Sequence, residues 1–272
     1  MKFTLTRHAL TLSVLGALSL TAAPAVAQES LSVMSFGGAY QEAQRKAVFE
    51  TYTATTGIKI DEQEYGGEIA KIAAMIESGN TTIDVVDVDA PTLLQGCDEG
   101  IFETIDWTQI GDKADWLSGT TSDCGVGTIV YSTSLAYDAA TLENGPTALA
   151  DLFDSAKFPG KRGLWKNPAT NLEFALLADG VPVDQVYEVL GTPEGLDRAF
   201  AKLDTIKDSI VWWEAGAQAP QLLASGEVVM TTAWNGRIYN ANKEGQDFRT
   251  VWDNQILDSN YWAIPKGAKN IE

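Results

Sequence analysis

Residues 83–91 read Ile83-Asp84-Val85-Val86-Asp87-Val88-Asp89-Ala90-Pro91. Ile83–Val88 is a strand-length run without strict apolar–polar alternation, the composition of a strand covered on both faces in a parallel sheet. Working outward, Leu31–Met34 and Ile58–Gln63 read as two earlier strands, and Tyr40–Tyr52 as a helix between them. Glu68–Glu77 is a second helix, with Ile69, Ile72, Ala73 and Ile76 on one face, and a short helix follows at Pro91–Gln95. This βαβαβ order predicts a parallel sheet flanked by helices. Gly127–Tyr131 reads as a further strand, and the pattern changes near Ser132–Asp138. Helices at Leu149–Phe153, Leu172–Leu177, Asp184–Leu190 and Pro193–Ile206 then interleave with strands near Gly163–Lys166, Ile210–Trp213, Val228–Thr232 and Phe248–Trp252. The expected fold is α/β in two lobes: residues 28–136 with 259–272 form a discontinuous first lobe, and 137–258 the second. No proline- or serine-rich linker separates them, so crossing strands are expected to form the hinge.

The chain has 272 residues, 45% apolar and 21% charged, a globular composition that excludes disorder, collagen and a polytopic membrane protein. Lysine and arginine number 19 against 37 acids, a net charge of −18. That balance argues against nucleic acid or an anionic lipid surface as a general partner and favours cationic ligands.

Residues 1–27 join Lys2 and Arg7 to the apolar run Ala9–Ala22 and then Ala25-Val26-Ala27, the pattern of a secretory signal peptide cleaved after Ala27. Roughly 14 apolar residues are too few for a bilayer that needs about 20. A periplasmic protein is therefore expected. The leader also carries His8, the only histidine. Without it there is no triad, Cys–His pair, histidine-ligated zinc or histidine base. No metal and no cofactor are expected; Asp84-x-x-Asp87-x-Asp89 lacks the glycine and terminal glutamate of a calcium loop. Cys97 and Cys124 are the only cysteines, and an oxidising compartment favours pairing them. Closing a loop of about 28 residues would stabilise by roughly 3 to 4 kcal/mol in the chain-entropy picture. Two separate buried thiols are the alternative.

Ligands of parallel sheets sit at the carboxyl ends of strands. Those ends read Ser35-Phe36-Gly37-Gly38-Ala39-Tyr40, Asp87-Val88-Asp89, Trp165-Lys166-Asn167, Trp212-Trp213-Glu214 and Trp234-Asn235-Gly236. Aromatics beside acids suit an amine, through cation–π contact and charge-assisted hydrogen bonds. Asp89 also stands where it can cap the helix containing Pro91. The Gly37-Gly38 turn has the form of an anion site at a helix N-terminus, which points instead to a zwitterion.

Four segments, Thr55-Thr56-Gly57-Ile58-Lys59-Ile60, Asp84 to Ile105, Ala233-Trp234-Asn235-Gly236 and Trp262-Ala263-Ile264-Pro265-Lys266, together resemble the spermidine/putrescine-binding family of periplasmic solute-binding proteins of ABC importers. The likeness covers essentially all of residues 30–272. It implies the type II periplasmic binding protein fold, with hinge closure on a ligand, and a monomeric receptor, not an enzyme, that delivers its solute to ABC permease subunits. Residue by residue, it implies that Trp234 packs against the ligand chain, that Phe36 and Tyr40 are first-loop aromatics, and that Asp89 adds a carboxylate. The family's acidic anchors fall on Asn167 and Thr170 and its hinge aspartate on Asn260, with Asp258 two positions earlier; Glu214 is a further acidic candidate. The family continues beyond the equivalent of Glu272, so a C-terminally truncated chain is expected. The expected ligand is a cationic polyamine, with a zwitterionic amino-acid-like solute or an aminophosphonate as the alternative. A secreted hydrolase pairing Asp87 with Asp258 is the remote one.

Overall fold

The computed structural model describes residues 30–271, so the expected signal peptide, residues 1–27, lies outside the described residues. Strand β1 (Ser30–Ser35) turns at Gly37-Gly38 into α1 (Gly38–Gln44), which continues through a π-helical stretch, Arg45–Phe49, into α2 (Glu50–Thr56). Gly57 ends this run at φ 78°, a left-handed position that glycine adopts without a Cβ clash. There follow β2 (Lys59–Glu64), α3 (Ile69–Glu77), β3 (Val85–Asp89), α4 (Ala90–Asp98) and α5 (Trp107–Ile110). Asp89 caps α4 by accepting the Thr92 N–H at 2.9 Å, with proline in the first turn. The chain continues with β4 (Val126–Asp138), β5 (Arg162–Trp165), α6 (Asn171–Ala178), α7 (Val186–Leu190), α8 (Pro193–Asp204), β6 (Ile210–Trp213), α9 (Gln218–Ala224), β7 (Met230–Trp234), α10 (Asn235–Lys243) and β8 (Phe248–Ala263).

The strands follow the order β2-β1-β3-β8-β4-β7-β5-β6. In one lobe β1 is parallel to β2 and β3; in the other β5 is parallel to β6 and β7. Between them β4 and β8 form an antiparallel ladder from Val126↔Trp262 to Asp138↔Phe248, and this pair carries the sheet from one lobe to the other. The expected boundaries at 136/137 and 258/259 fall inside these two strands. Each lobe has its own core: Met34, Ile72, Val86, Leu93 and Phe102 in the first, and Leu135, Leu152, Phe174 and Met230 with Trp213, Leu223 and Phe248 in the second. Trp234 packs against both. A disulfide joins Cys97 of α4 to Cys124 ahead of β4, with Cα atoms 6.1 Å apart. Among the described residues no helix is long and apolar enough to cross a membrane.

Two expectations need correction. The strand expected at Gly127–Tyr131 runs to Asp138, and the one at Phe248–Trp252 runs to Ala263. The added part of β8, Asp253-Asn254-Gln255-Ile256-Leu257-Asp258-Ser259-Asn260, is mostly polar; its pairing with β4 defines it, not burial. Helices α9 and α10 had no expected counterpart. Within α10 only Arg237 and Ile238 are buried, so no apolar stripe marks it.

Candidate functional site

The turn after β1, the middle of β4, the β7–α10 junction and the end of β8 converge on a cavity of about 270 Å³. Phe36, Tyr40, Tyr131, Trp234, Arg237 and Asn260 line it. Trp234 is its wall. Its indole meets Phe36 edge-on at 5.7 Å, Tyr131 at 6.2 Å, and Trp165 and Trp213 each at 5.5 Å. These edge-to-face contacts are worth about 0.5 to 1.5 kcal/mol each beyond burial.

Arg237 comes from the first turn of α10 and is 6% exposed. Its Nη2 donates to the carbonyls of Phe36 at 3.0 Å and Gly37 at 2.9 Å, and the guanidinium lies 5.8 Å from the centre of the Trp234 ring. Burial lowers its pKa, opposed by the charge of Glu64, yet an arginine remains charged. Among the described residues no carboxylate lies within 4.0 Å of it, Glu64 acting from further away. The glycines at the turn make room for it: at Gly38, φ 55°, a Cβ would sit 2.7 Å from Arg237 Nη1.

Beneath the cavity lies Asp87, fully buried on β3. Its carboxylate accepts from the Tyr40 hydroxyl at 2.8 Å, Asn260 Nδ2 at 2.7 Å and Gln44 Nε2, while Ser35 Oγ, 3.5 Å away, gives its proton to Gln44 Oε1 at 2.7 Å. Burial pushes Asp87 up to about 7, while the hydrogen-bonding side chains around it, Tyr40 first, pull it down. Asp258 accepts from the Tyr131 hydroxyl at 3.3 Å and the Ser259 N–H. Burial pushes it up to about 6, with the charge of Asp89 adding. A second, more acidic cavity of about 610 Å³ takes in Glu68, Asp89, Asn167, Glu173 and Tyr187; burial raises both Asp89 and Glu173.

Of the residues singled out from sequence, Phe36, Tyr40, Trp234 and Asn260 meet at the first cavity, and Asp89 and Asn167 at the second. Asn167 accepts the Ala169 N–H at 2.9 Å, a turn-forming contact. Asp258 lies against Tyr131. Glu214 is apart from all of them: it is largely exposed and pairs with Lys166 at 2.7 Å on the surface, so the acid beside Trp213 points to solvent. Asp87 and Asp258 are each engaged with their own donors and are not a mutually bonded pair. Asp84 is used elsewhere, accepting the N–H groups of Ser32 and Asn270. The sequence reading missed Arg237 and Tyr131. Arg237 had one available signal: it is the lone cation directly following Trp234-Asn235-Gly236 in an acidic chain.

The profile of the family described as bacterial extracellular solute-binding protein matches residues 47–272. The chain belongs to that family. As a bacterial extracellular solute-binding protein it is the receptor component of an ABC importer, and its family consists of transport proteins, not enzymes. It is 49% identical over 259 residues to the gamma-aminobutyric acid-binding protein of Pseudomonas aeruginosa PAO1, covering 95% of this chain and 73% of that one. Among solved structures, the periplasmic binding protein MotA of A. tumefaciens B6 in complex with glucopine matches with a TM-score of 0.84 and 38% identity, covering 89% of this chain and 75% of that one. A GABA receptor matches with a TM-score of 0.76 and 39% identity, over 89% and 74% of the respective chains. These neighbours are two-lobed periplasmic binding proteins, the architecture of the present chain.

Proposed function

We propose that the chain captures a small zwitterionic, amino-acid-like solute of the gamma-aminobutyrate class in the cavity between Trp234 and Arg237. The observation that carries this reading is the buried Arg237 guanidinium in the cavity wall, which no carboxylate of the described residues contacts within 4.0 Å. A ligand carboxylate supplies a contacting anion through charge-assisted hydrogen bonds from the N–H groups that Phe36 and Gly37 leave free, and the Trp234 ring covers the methylenes. A polyamine has no carboxylate to offer. At an effective dielectric of 20, an ammonium about 4 Å from the guanidinium is repelled by about 4 kcal/mol. The relatives named above, two of which carry gamma-aminobutyrate in their names, support the same ligand class. The polyamine reading keeps one specific support, the carboxylates of the second cavity.

With this reading go export by the leader 1–27, residence in the periplasm, and delivery of the solute by a monomeric receptor to the ABC permease subunits. Calorimetric titration of the chain with gamma-aminobutyrate, putrescine and spermidine tests the ligand class. The expected result is micromolar affinity for gamma-aminobutyrate, about −8 kcal/mol, and at least tenfold weaker binding of both polyamines. Tighter binding of putrescine or spermidine would return the assignment to polyamines.

A further inference from the structure

We infer that Asp87 is a positioning residue that makes the Tyr40–Asn260 side of the cavity an acceptor surface for the ligand's ammonium group, without touching the ligand itself. The inference rests on the zwitterion reading above and deepens it. An ionised carboxylate only accepts hydrogen bonds. Tyr40 must therefore turn its proton, and Asn260 its amide N–H, inward to Asp87. Both residues also line the cavity, where Tyr40 can present only its hydroxyl oxygen, which Thr128 Oγ1 also approaches at 3.4 Å, and Asn260 its Oδ1 beside its second N–H. The consequence is visible at Asn260, which is 5% exposed and whose Oδ1 is buried with no hydrogen-bond partner among the described residues. A buried acceptor of this kind is costly unless a donor reaches it. An ammonium has three donors and suits it; a second carboxylate would be repelled. Arg237 lines the same cavity, so one chamber offers a cation for one pole of the ligand and oriented neutral acceptors, backed by a buried charge, for the other.

The arrangement is not a consequence of packing alone. Tyr40 and Gln44 come from α1 and Asn260 from β8, and all three aim donors at one carboxylate, with Ser35 of β1 holding the Gln44 amide. Protonating Asp87 adds a proton that must itself be accepted, which the Tyr40 hydroxyl can do by turning its own proton toward Thr128, and Gln44 or Asn260 by turning over an amide. The titratable groups facing Asp87 are Tyr40, Tyr65, whose hydroxyl donates to the Asp87 main-chain carbonyl, Tyr131 and Asp89. The three tyrosines are all raised by burial and remain protonated.

The test is the affinity of the whole chain for gamma-aminobutyrate and for butanoate, which lacks the ammonium, between pH 8.5 and 5.5. The wild type, Asp87→Asn and Asp258→Asn are compared, with thermal melts of each. The expected result is that wild-type affinity for gamma-aminobutyrate falls about tenfold from pH 8 to pH 6, while Asp87→Asn binds it at least tenfold more weakly at pH 8 with a flat profile. Butanoate binding should change less than threefold in that variant, and its melting temperature at pH 8 should not fall. A purely structural role would lower affinity for both ligands together. Equal loss for both, or unchanged gamma-aminobutyrate binding, overturns the role of Asp87 and leaves the receptor assignment standing. If the wild type binds no gamma-aminobutyrate at any pH, the zwitterion reading fails and this inference with it. If Asp87→Asn does not fold, the wild-type profile and that of Asp258→Asn decide: a pH dependence retained in Asp258→Asn supports Asp87, and its disappearance there overturns it.

Discussion

Arg237 lies 200 positions from Gly37 in sequence, and its guanidinium donates to the Gly37 carbonyl at 2.9 Å. The contact ties the β7–α10 junction of one lobe to the first turn of the other, so a ligand group bound to Arg237 meets a side chain already committed to both. Arg237→Ala should therefore weaken gamma-aminobutyrate binding by roughly 10- to 100-fold, the worth of charge-assisted hydrogen bonds of about 1.5 to 3 kcal/mol. Calorimetry reads this directly, and unchanged affinity would remove Arg237 from the site.

Gly38→Ala places a methyl 2.7 Å from Arg237 Nη1 at a backbone φ of 55°. It should lower affinity at least fivefold by displacing the guanidinium. The far-ultraviolet circular dichroism should stay that of the wild type, because the substitution lies outside both lobe cores.

Trp234→Ala removes the wall that meets Phe36, Tyr131, Trp165 and Trp213. At least tenfold weaker ligand binding is expected, with both lobes still folded. Glu214→Gln, by contrast, should change affinity by less than twofold and stability by under about 1 kcal/mol, as for exposed ion pairs in general.

Stability should rise on acidification from pH 8 to about pH 5. Asp87, near 7, and Asp258, near 6, are both raised by burial, so the native chain holds protons that the unfolded chain has released, and the slope of stability against pH is negative in that window. Thermal melts at fixed ionic strength measure it. Asp87→Asn should remove the part between pH 8 and 6, so a wild-type slope retained in that variant would show that another group titrates there.

Reduction of Cys97–Cys124 should lower stability by about 3 kcal/mol through the longer free loop of the unfolded chain. A urea titration with and without a thiol reductant gives the difference. Neither cysteine lines the cavity, so ligand affinity at 25 °C should change less than twofold.

The regular α/β elements were legible because burial wrote them into composition: the double-faced strand around Val86 and the helical repeat of Ile69, Ile72 and Ile76 are both apolar patterns. The two crossing strands were read short, since β8 beyond Trp252 is held by its ladder to β4 while much of it faces solvent. At the site, aromatics at strand ends stood out, and Phe36, Tyr40 and Trp234 do come together. Arg237 did not stand out, because its importance depends on a carbonyl pair brought near by folding. Asp87 stands in sequence as one more acid at a strand end: one dimension shows a carboxylate on a strand, and only the packed structure supplies the three donors around it. Glu214 misled for the converse reason, since proximity to Trp213 in sequence places it on the opposite side of the strand end.

The cluster of Trp165, Trp213 and Trp234, with ring centres 5.5 to 6.0 Å apart, gives the molecule an optical signature. Three indoles this close exchange excitation energy and couple their transition dipoles. Trp234 is the member that borders the cavity, so lobe movement or ligand entry alters the emission and near-ultraviolet dichroism of the whole trio. The receptor thus carries an intrinsic fluorophore beside its cavity, and titration of the unmodified chain should register ligand entry in its emission.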